Sequence, residues 1–375
     1  MTMPTAVLRR VVPVVAAAFA LAVAAPGHAE SSNSYDVQNL VTDPGSGITA
    51  AHPDANLRNG WGVAFNPTGF AWVADNGTGK STLYDGSGNV NALVVTIPSA
   101  NGSDPGTPTG IVFSGSNTDF IVTANGKTGP ARFIFASEDG VISAWAPTVD
   151  GTHAIRVALG ADAVYKGVTL AGNGDGFFLY AADFHGRKID IYSSTFAPVS
   201  AAGKFVDRNI PADYAPFNIQ NIQGNLYVSY AKTTPGSDDE TAGRGLGFVD
   251  VFDADGNLLR RLAQHGTLNA PWGMALAPTG FGKFSNDLLV GNFGDGTINA
   301  FDPRTGAFKG QLRGADNKVL KIDGLWGLAF GNGILNQPTD TLFFAAGPHD
   351  EADGLYGRID ARVPTAGNDH DGEDD

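Results

Sequence analysis

Three stretches decide the fold: Gly60-Trp61-Gly62-Val63-Ala64-Phe65, Pro271-Trp272-Gly273-Met274-Ala275-Leu276 and Leu325-Trp326-Gly327-Leu328-Ala329-Phe330. Three looser copies lie between the first two: Thr109-Gly110-Ile111-Val112-Phe113, Lys166-Gly167-Val168-Thr169-Leu170 and Phe217-Asn218-Ile219-Gln220-Asn221. The markers Gly62, Gly110, Gly167, Asn218, Gly273 and Gly327 recur at intervals of 48 to 57 residues. A period near 50 residues, repeated six times, is the signature of a propeller whose blades are four-stranded sheets.

The rest of each repeat agrees. A second apolar run follows each copy: Ala71–Ala74, Phe120–Val122, Phe178–Ala181, Leu226–Ser229, Asp287–Val290 and Thr341–Phe344. A third, alternating segment of the type Gly296-Thr297-Ile298-Asn299-Ala300-Phe301 reads as a half-buried strand. Turns such as Asp253-Ala254-Asp255-Gly256-Asn257 then lead to an outer strand. The expected fold is all-β: a six-bladed propeller of four-stranded antiparallel blades. The marker glycines let inner strands approach one another near the axis. Trp61, Trp272 and Trp326 are expected to wedge between blades as core residues. The sixth repeat lacks an outer strand, and Tyr35-Asp36-Val37-Gln38-Asn39-Leu40-Val41 alternates without a partner nearby. That N-terminal segment is expected to close the ring and cover the open sheet edge.

Composition fits. Gly is 50 of 375 residues, charged residues are 17% and the formal charge is −14. With no Cys, disulfides, thiolate metal sites and Fe–S clusters are excluded. Residues 1–29 read as a cleaved export signal: Arg9 and Arg10, an apolar run, then Gly27-His28-Ala29. Residues 30–362 form the propeller, and 363–375 read as an acidic, disordered tail. A periplasmic or secreted protein is expected, with no membrane span after cleavage and a monomeric state. No basic groove is present for nucleic acid, and no nucleotide, haem or Fe–S motif appears.

Loops entering the inner strands and turns after the second strands should converge on one funnel. They offer Asn59, Asp75, Asn125, Lys166, Lys232, Asn292 and Asp323 to a ligand, either a small molecule or a protein. Asp183 and Asn218 carry oxygen ligands suited to Ca²⁺ or another divalent cation. The same residue types also stabilise turns through backbone hydrogen bonds. His185 and His349 are candidate bases, although neither sits in a catalytic motif. The polar insert Lys232–Arg244 is long enough to be a lid.

The start Gly60-Trp61-Gly62-Val63-Ala64-Phe65 and the run Trp72-Val73-Ala74-Asp75-Asn76 resemble six-bladed propellers of the NHL-repeat and gluconolactonase, strictosidine-synthase-like superfamily. With Gly291-Asn292-Phe293-Gly294-Asp295-Gly296 and Asp323-Gly324-Leu325-Trp326-Gly327-Leu328, the chain is also similar to an uncharacterised family of exported bacterial propeller proteins. The first resemblance implies a divalent cation at the axis, with Asp183 and Asn218 at matching positions and no matching N-terminal Glu. The expected role is a binding or interaction module working through its funnel. The alternative is a metal-dependent hydrolase of lactonase or phosphoesterase type.

Overall fold

The computed structural model describes residues 34–102 and 105–362, so the segments expected to be an export signal (1–29) and an acidic tail (363–375) lie outside the described residues. Six sheets stand around one axis. Blade 1 is Gly60–Phe65, Ala71–Asp75, Lys80–Tyr84 and Val95–Thr96, and each strand pairs antiparallel with the next. Blades 3, 4 and 5 repeat this order from their inner strands Tyr165–Gly172, Tyr214–Ile222 and Pro271–Leu276.

Blade 6 closes the ring as expected. Leu325–Phe330, Leu342–Ala346 and Leu355–Ala361 come from the end of the chain. Tyr35–Thr42 supplies the outer strand, antiparallel to Leu355–Ala361. His52–Pro53 then runs parallel along its far side. The Tyr35 hydroxyl donates to the Phe281 carbonyl at 3.0 Å and accepts from the Phe284 amide at 3.2 Å, which ties the N-terminal strand to blade 5 as well.

The marker glycines behave mechanically, as expected. A Cβ on Gly110 would meet the Val168 amide at 2.6 Å. One on Gly273 would meet the Trp326 carbonyl at 2.4 Å, and one on Gly327 the Trp61 carbonyl at 2.4 Å. Each inner strand therefore leans on the next with no room for a side chain. Blade 4 has Asn218 at this position, and its amide spans the gap by donating to the Trp272 carbonyl at 2.9 Å.

Two expectations change. The second strand of blade 2 is Phe133–Ser137, not the run beginning at Phe120. Ile121–Ala124 instead pairs with Lys127–Pro130 in a separate hairpin. A middle strand is covered on both faces, so it needs a continuous apolar run. Phe133–Ser137 is buried throughout, whereas Ile121–Ala124 alternates with exposed positions and follows Phe120 at φ +55°.

The tryptophans also sit differently. They meet one another instead of separating blades. Trp61 stacks on Trp326 with ring centroids 3.6 Å apart, Trp272 meets both edge-on, and Phe293 stacks on Trp326 at 3.9 Å. Alternation along the strand explains this: the glycine after each tryptophan faces the next blade, which turns the indole toward the axis.

Candidate functional site

The aromatic plug forms the floor of a site on the face where entry loops and second-strand turns converge. The Trp272 indole donates to the Lys166 carbonyl at 2.9 Å, and the Trp326 indole donates to Asn59 Oδ1 at 3.1 Å. The Trp61 indole N–H is buried and has no partner among the described residues.

Lys166 occupies the centre. It enters on the inner strand of blade 3 and is 3% exposed. Its Nζ lies 2.5 Å from Glu138 Oε1 and 5.2 Å from the Trp61 ring centroid. Glu138 comes from the turn after the second strand of blade 2, and its Oε2 accepts from Asn76 Nδ2 of blade 1 at 2.9 Å. Burial alone would lower the Lys166 pKa. The charges of Glu138, Glu240 and Asp239 outweigh it and hold the ammonium above its ordinary value.

Two more carboxylates lie within the field of this cation. Glu240 sits in the short strand Glu240–Thr241 of the blade 4 insert, which folds back on Asn225–Thr233. Burial raises its pKa, with Lys166 opposing. Glu351 lies in the turn after the second strand of blade 6. Burial pushes its carboxyl up to about 7, with the charges of Glu240 and Glu138 adding and Lys166 opposing. The backbone that delivers it is strained: His349, Asp350 and Glu351 all have positive φ, at 58°, 55° and 65°. A left-handed turn of non-glycine residues is costly and persists only where its surroundings enforce it. Here Asp323 Oδ2 accepts from the His349 amide at 2.8 Å, Asp353 Oδ2 lies 2.7 Å from His349 Nδ1, and the Glu351 amide closes on the Gly347 carbonyl at 3.1 Å.

The residues singled out in the sequence divide. Asn59 and Lys166 line the plug, and Asp323 braces the strained turn. Lys232 stands farther out, paired with Asp213 at 3.3 Å. His185 and His349 are exposed, and each is bound to an aspartate: His185 Nδ1 lies 2.6 Å from Asp238 of the insert. Those hydrogen bonds raise both imidazole pKa values. Asn125 is not in the funnel, because it caps the separate hairpin Ile121–Pro130 at φ +53°.

Three others bond to the scaffold, and Asp75 is buried in it with neither carboxylate oxygen hydrogen-bonded among the described residues. Asn292 Nδ2 donates to Thr267, Asp295 and Thr297. Asp75 is fully buried inside blade 1, where burial drives its carboxyl well above the usual range. Asp183 Oδ1 accepts the Val164 and Gly186 amides at 3.1 and 2.9 Å. Asn218 Oδ1 accepts the Ile219 amide at 2.8 Å. The side chains named for a cation thus bond to protein. Among the described residues, no three His, Asp or Glu side chains are grouped to hold a metal.

Glu138, Glu240 and Glu351 were missed by sequence reasoning. Glu138 was within reach: Ser137-Glu138-Asp139-Gly140 directly precedes the third strand of blade 2, as Asp183 precedes that of blade 3. Glu240 and Glu351 have no such register.

No family model matches the chain. Over 325 residues it is 36% identical to the "Uncharacterized protein L690" of Acanthamoeba polyphaga mimivirus, covering 83% of this chain and 82% of the viral one. That relative is viral, so the bacterial origin expected from the sequence gains no support. Among solved structures, a structural genomics protein of unknown function from Bacteroides thetaiotaomicron superposes with TM-score 0.55 at 10% identity, over 87% of this chain and 76% of its own. An aldose sugar dehydrogenase from Streptomyces coelicolor, in its PQQ-bound form, gives TM-score 0.50 at 16% identity over 88% and 99%. Likeness at these identities establishes the propeller architecture and no more.

Proposed function

The chain belongs to the family of the mimivirus protein L690, and from its axial site we propose that it is a ligand-binding module, acting outside the cytoplasm, whose recognition centre is the Lys166 cluster. The observation that carries this reading is a buried ammonium paired with Glu138 and lying within the field of Glu240 and Glu351 from two further blades. Burying charges costs stability unless their geometry is well satisfied. A propeller core needs none at its axis. Charge kept there at such cost is the mark of a functional centre.

Several parts of the site could take up a ligand. Lys166 supplies a cation, the three glutamates supply acceptors, and the indoles supply a flat apolar base with one free N–H donor at Trp61. A polar small molecule that stacks and hydrogen-bonds suits these groups better than a large apolar one. The insert and the turn at 349–351 border the centre and would close over it.

The test is a thermal-shift screen of a polar metabolite panel against the wild-type protein, Lys166→Met and Asn125→Ala. A compound that stabilises the wild type and Asn125→Ala, but not Lys166→Met, supports the reading. Hits that stabilise Lys166→Met equally would place recognition elsewhere and overturn it.

A further inference from the structure

A cavity lined largely by polar side chains lies on the same face, away from the Lys166 cluster. Its volume is about 220 Å³, and it is lined by Arg244, Thr267, Asp295, Thr297, Gln311, Val319 and Lys321. Arg244 ends the blade 4 insert, Thr267 precedes the inner strand of blade 5, and Lys321 lies in the connection to blade 6. The space is ample for a compact anion.

Its two cations are not neutralised by the protein: among the described residues neither Arg244 nor Lys321 has an ion-pair partner. Arg244 Nε donates to the Gly266 carbonyl at 3.4 Å, which leaves both terminal nitrogens available. The acidic group in the cavity wall, Asp295, is turned to its own loop. Its Oδ1 accepts from the Thr297 amide at 3.1 Å, the Thr297 hydroxyl at 2.7 Å and Asn292 at 3.2 Å.

We propose that this cavity is an oxyanion site, in which Arg244 and Lys321 take a carboxylate or phosphate group of a small ligand. Two like charges lining one open cavity repel, and an anion bound by both converts that repulsion into two attractions. The guanidinium fork matches the two oxygens of such a group, and Lys321 adds a point charge. The Thr267 hydroxyl, without a hydrogen-bond partner among the described residues, can donate a third contact. This site is independent of the axial one.

Isothermal titration of the full chain with inorganic phosphate and, separately, with malonate tests the proposal at fixed ionic strength set by chloride. One of the two should bind saturably, and which one distinguishes a phosphate-bearing from a carboxylate-bearing ligand. Arg244→Gln and Lys321→Gln should each weaken that binding about tenfold, equivalent to about 1.4 kcal/mol. Arg304→Gln, which removes an exposed cation elsewhere on blade 5, should leave it unchanged. Absence of saturable binding to either anion, or equal weakening by Arg304→Gln, would overturn the assignment. Both side chains are exposed, so the variants should melt with the parent.

Discussion

Lys166 Nζ and Glu138 Oε1 lie 2.5 Å apart across the boundary between blades 3 and 2, with the lysine side chain 3% exposed and the glutamate 29%. Removing one partner of such a pair strands the other charge, whereas removing both costs less. Glu138 is partly exposed, so Glu138→Gln should destabilise the fold by about 1–3 kcal/mol, the cost of a buried donor left unsatisfied. Glu138→Gln combined with Lys166→Met should cost less than the sum of the two single changes. Chemical denaturation of the four proteins measures the coupling. A coupling below about 0.5 kcal/mol, the usual scatter of additivity, would show that Glu240 and Glu351 hold the lysine without Glu138.

Glu351 gives the site a pH signature. Its carboxyl sits at about 7 in the fold, against an ordinary value of 4.5. Between those two values the unfolded chain has lost the proton that the fold still keeps, so rising pH favours unfolding. The contribution is fully present below 4.5 and is lost as pH passes through about 7. Glu351→Gln cannot lose a proton. Its stability relative to wild type should rise by about 1–3 kcal/mol across that window. Glu240 and Asp250 are raised in the same direction, but they are present in both proteins and largely cancel in the comparison. Parallel pH–stability curves for the two proteins would refute a buried protonated Glu351.

The ring was legible in the sequence because its cause is local and repeated. Every inner strand must leave a gap for its neighbour, so Gly62, Gly110, Gly167, Gly273 and Gly327 recur in register, and the N-terminal strand could be matched to the one blade without an outer strand. The site was only half legible because its carboxylates come from the irregular parts. Glu240 belongs to an insert found in one blade. Glu351 is placed by a left-handed turn built from His349, Asp350 and Glu351, residues whose propensities do not announce it. Glu138 follows Phe133–Ser137, and the apolar run of the preceding hairpin Ile121–Pro130 competes with that strand for its place in the repeat.

The glycine reading has its own check. Gly327→Ala puts a methyl group 2.4 Å from the Trp61 carbonyl, at the seam between the last blade and the first. Backbone on both sides leaves little to yield, so the ring must open slightly there. The expected loss is about 1–3 kcal/mol. Gly224→Ala serves as a control of a different kind: nothing lies within 4 Å of its Cβ, and any cost comes from φ +87°. Near-UV circular dichroism should change for Gly327→Ala, because Trp61 and Trp326 are stacked beside the seam, and should stay the same for Gly224→Ala. An unchanged spectrum and melting temperature for Gly327→Ala would mean that the inner strands are not in contact there.

Closure by the N-terminal strand carries the last prediction. Tyr35–Thr42 covers the open edge of Leu355–Ala361, and its Tyr35 ring packs 4.9 Å from Phe281 of blade 5. Deleting residues 34–42 uncovers a strand edge and the apolar surface under Tyr35, Leu40 and Val41, all buried in the intact ring. The truncated chain should melt well below the parent and associate through the exposed edge. Tyr35→Phe keeps the packing but loses the hydroxyl that bonds the Phe281 carbonyl and the Phe284 amide, at an expected cost of about 1–2 kcal/mol. The point variant separates lost hydrogen bonding from lost closure. A truncated protein that stays monomeric and melts with the parent would show that the ring holds on its other five seams, and that the N-terminal strand is an ornament on blade 6.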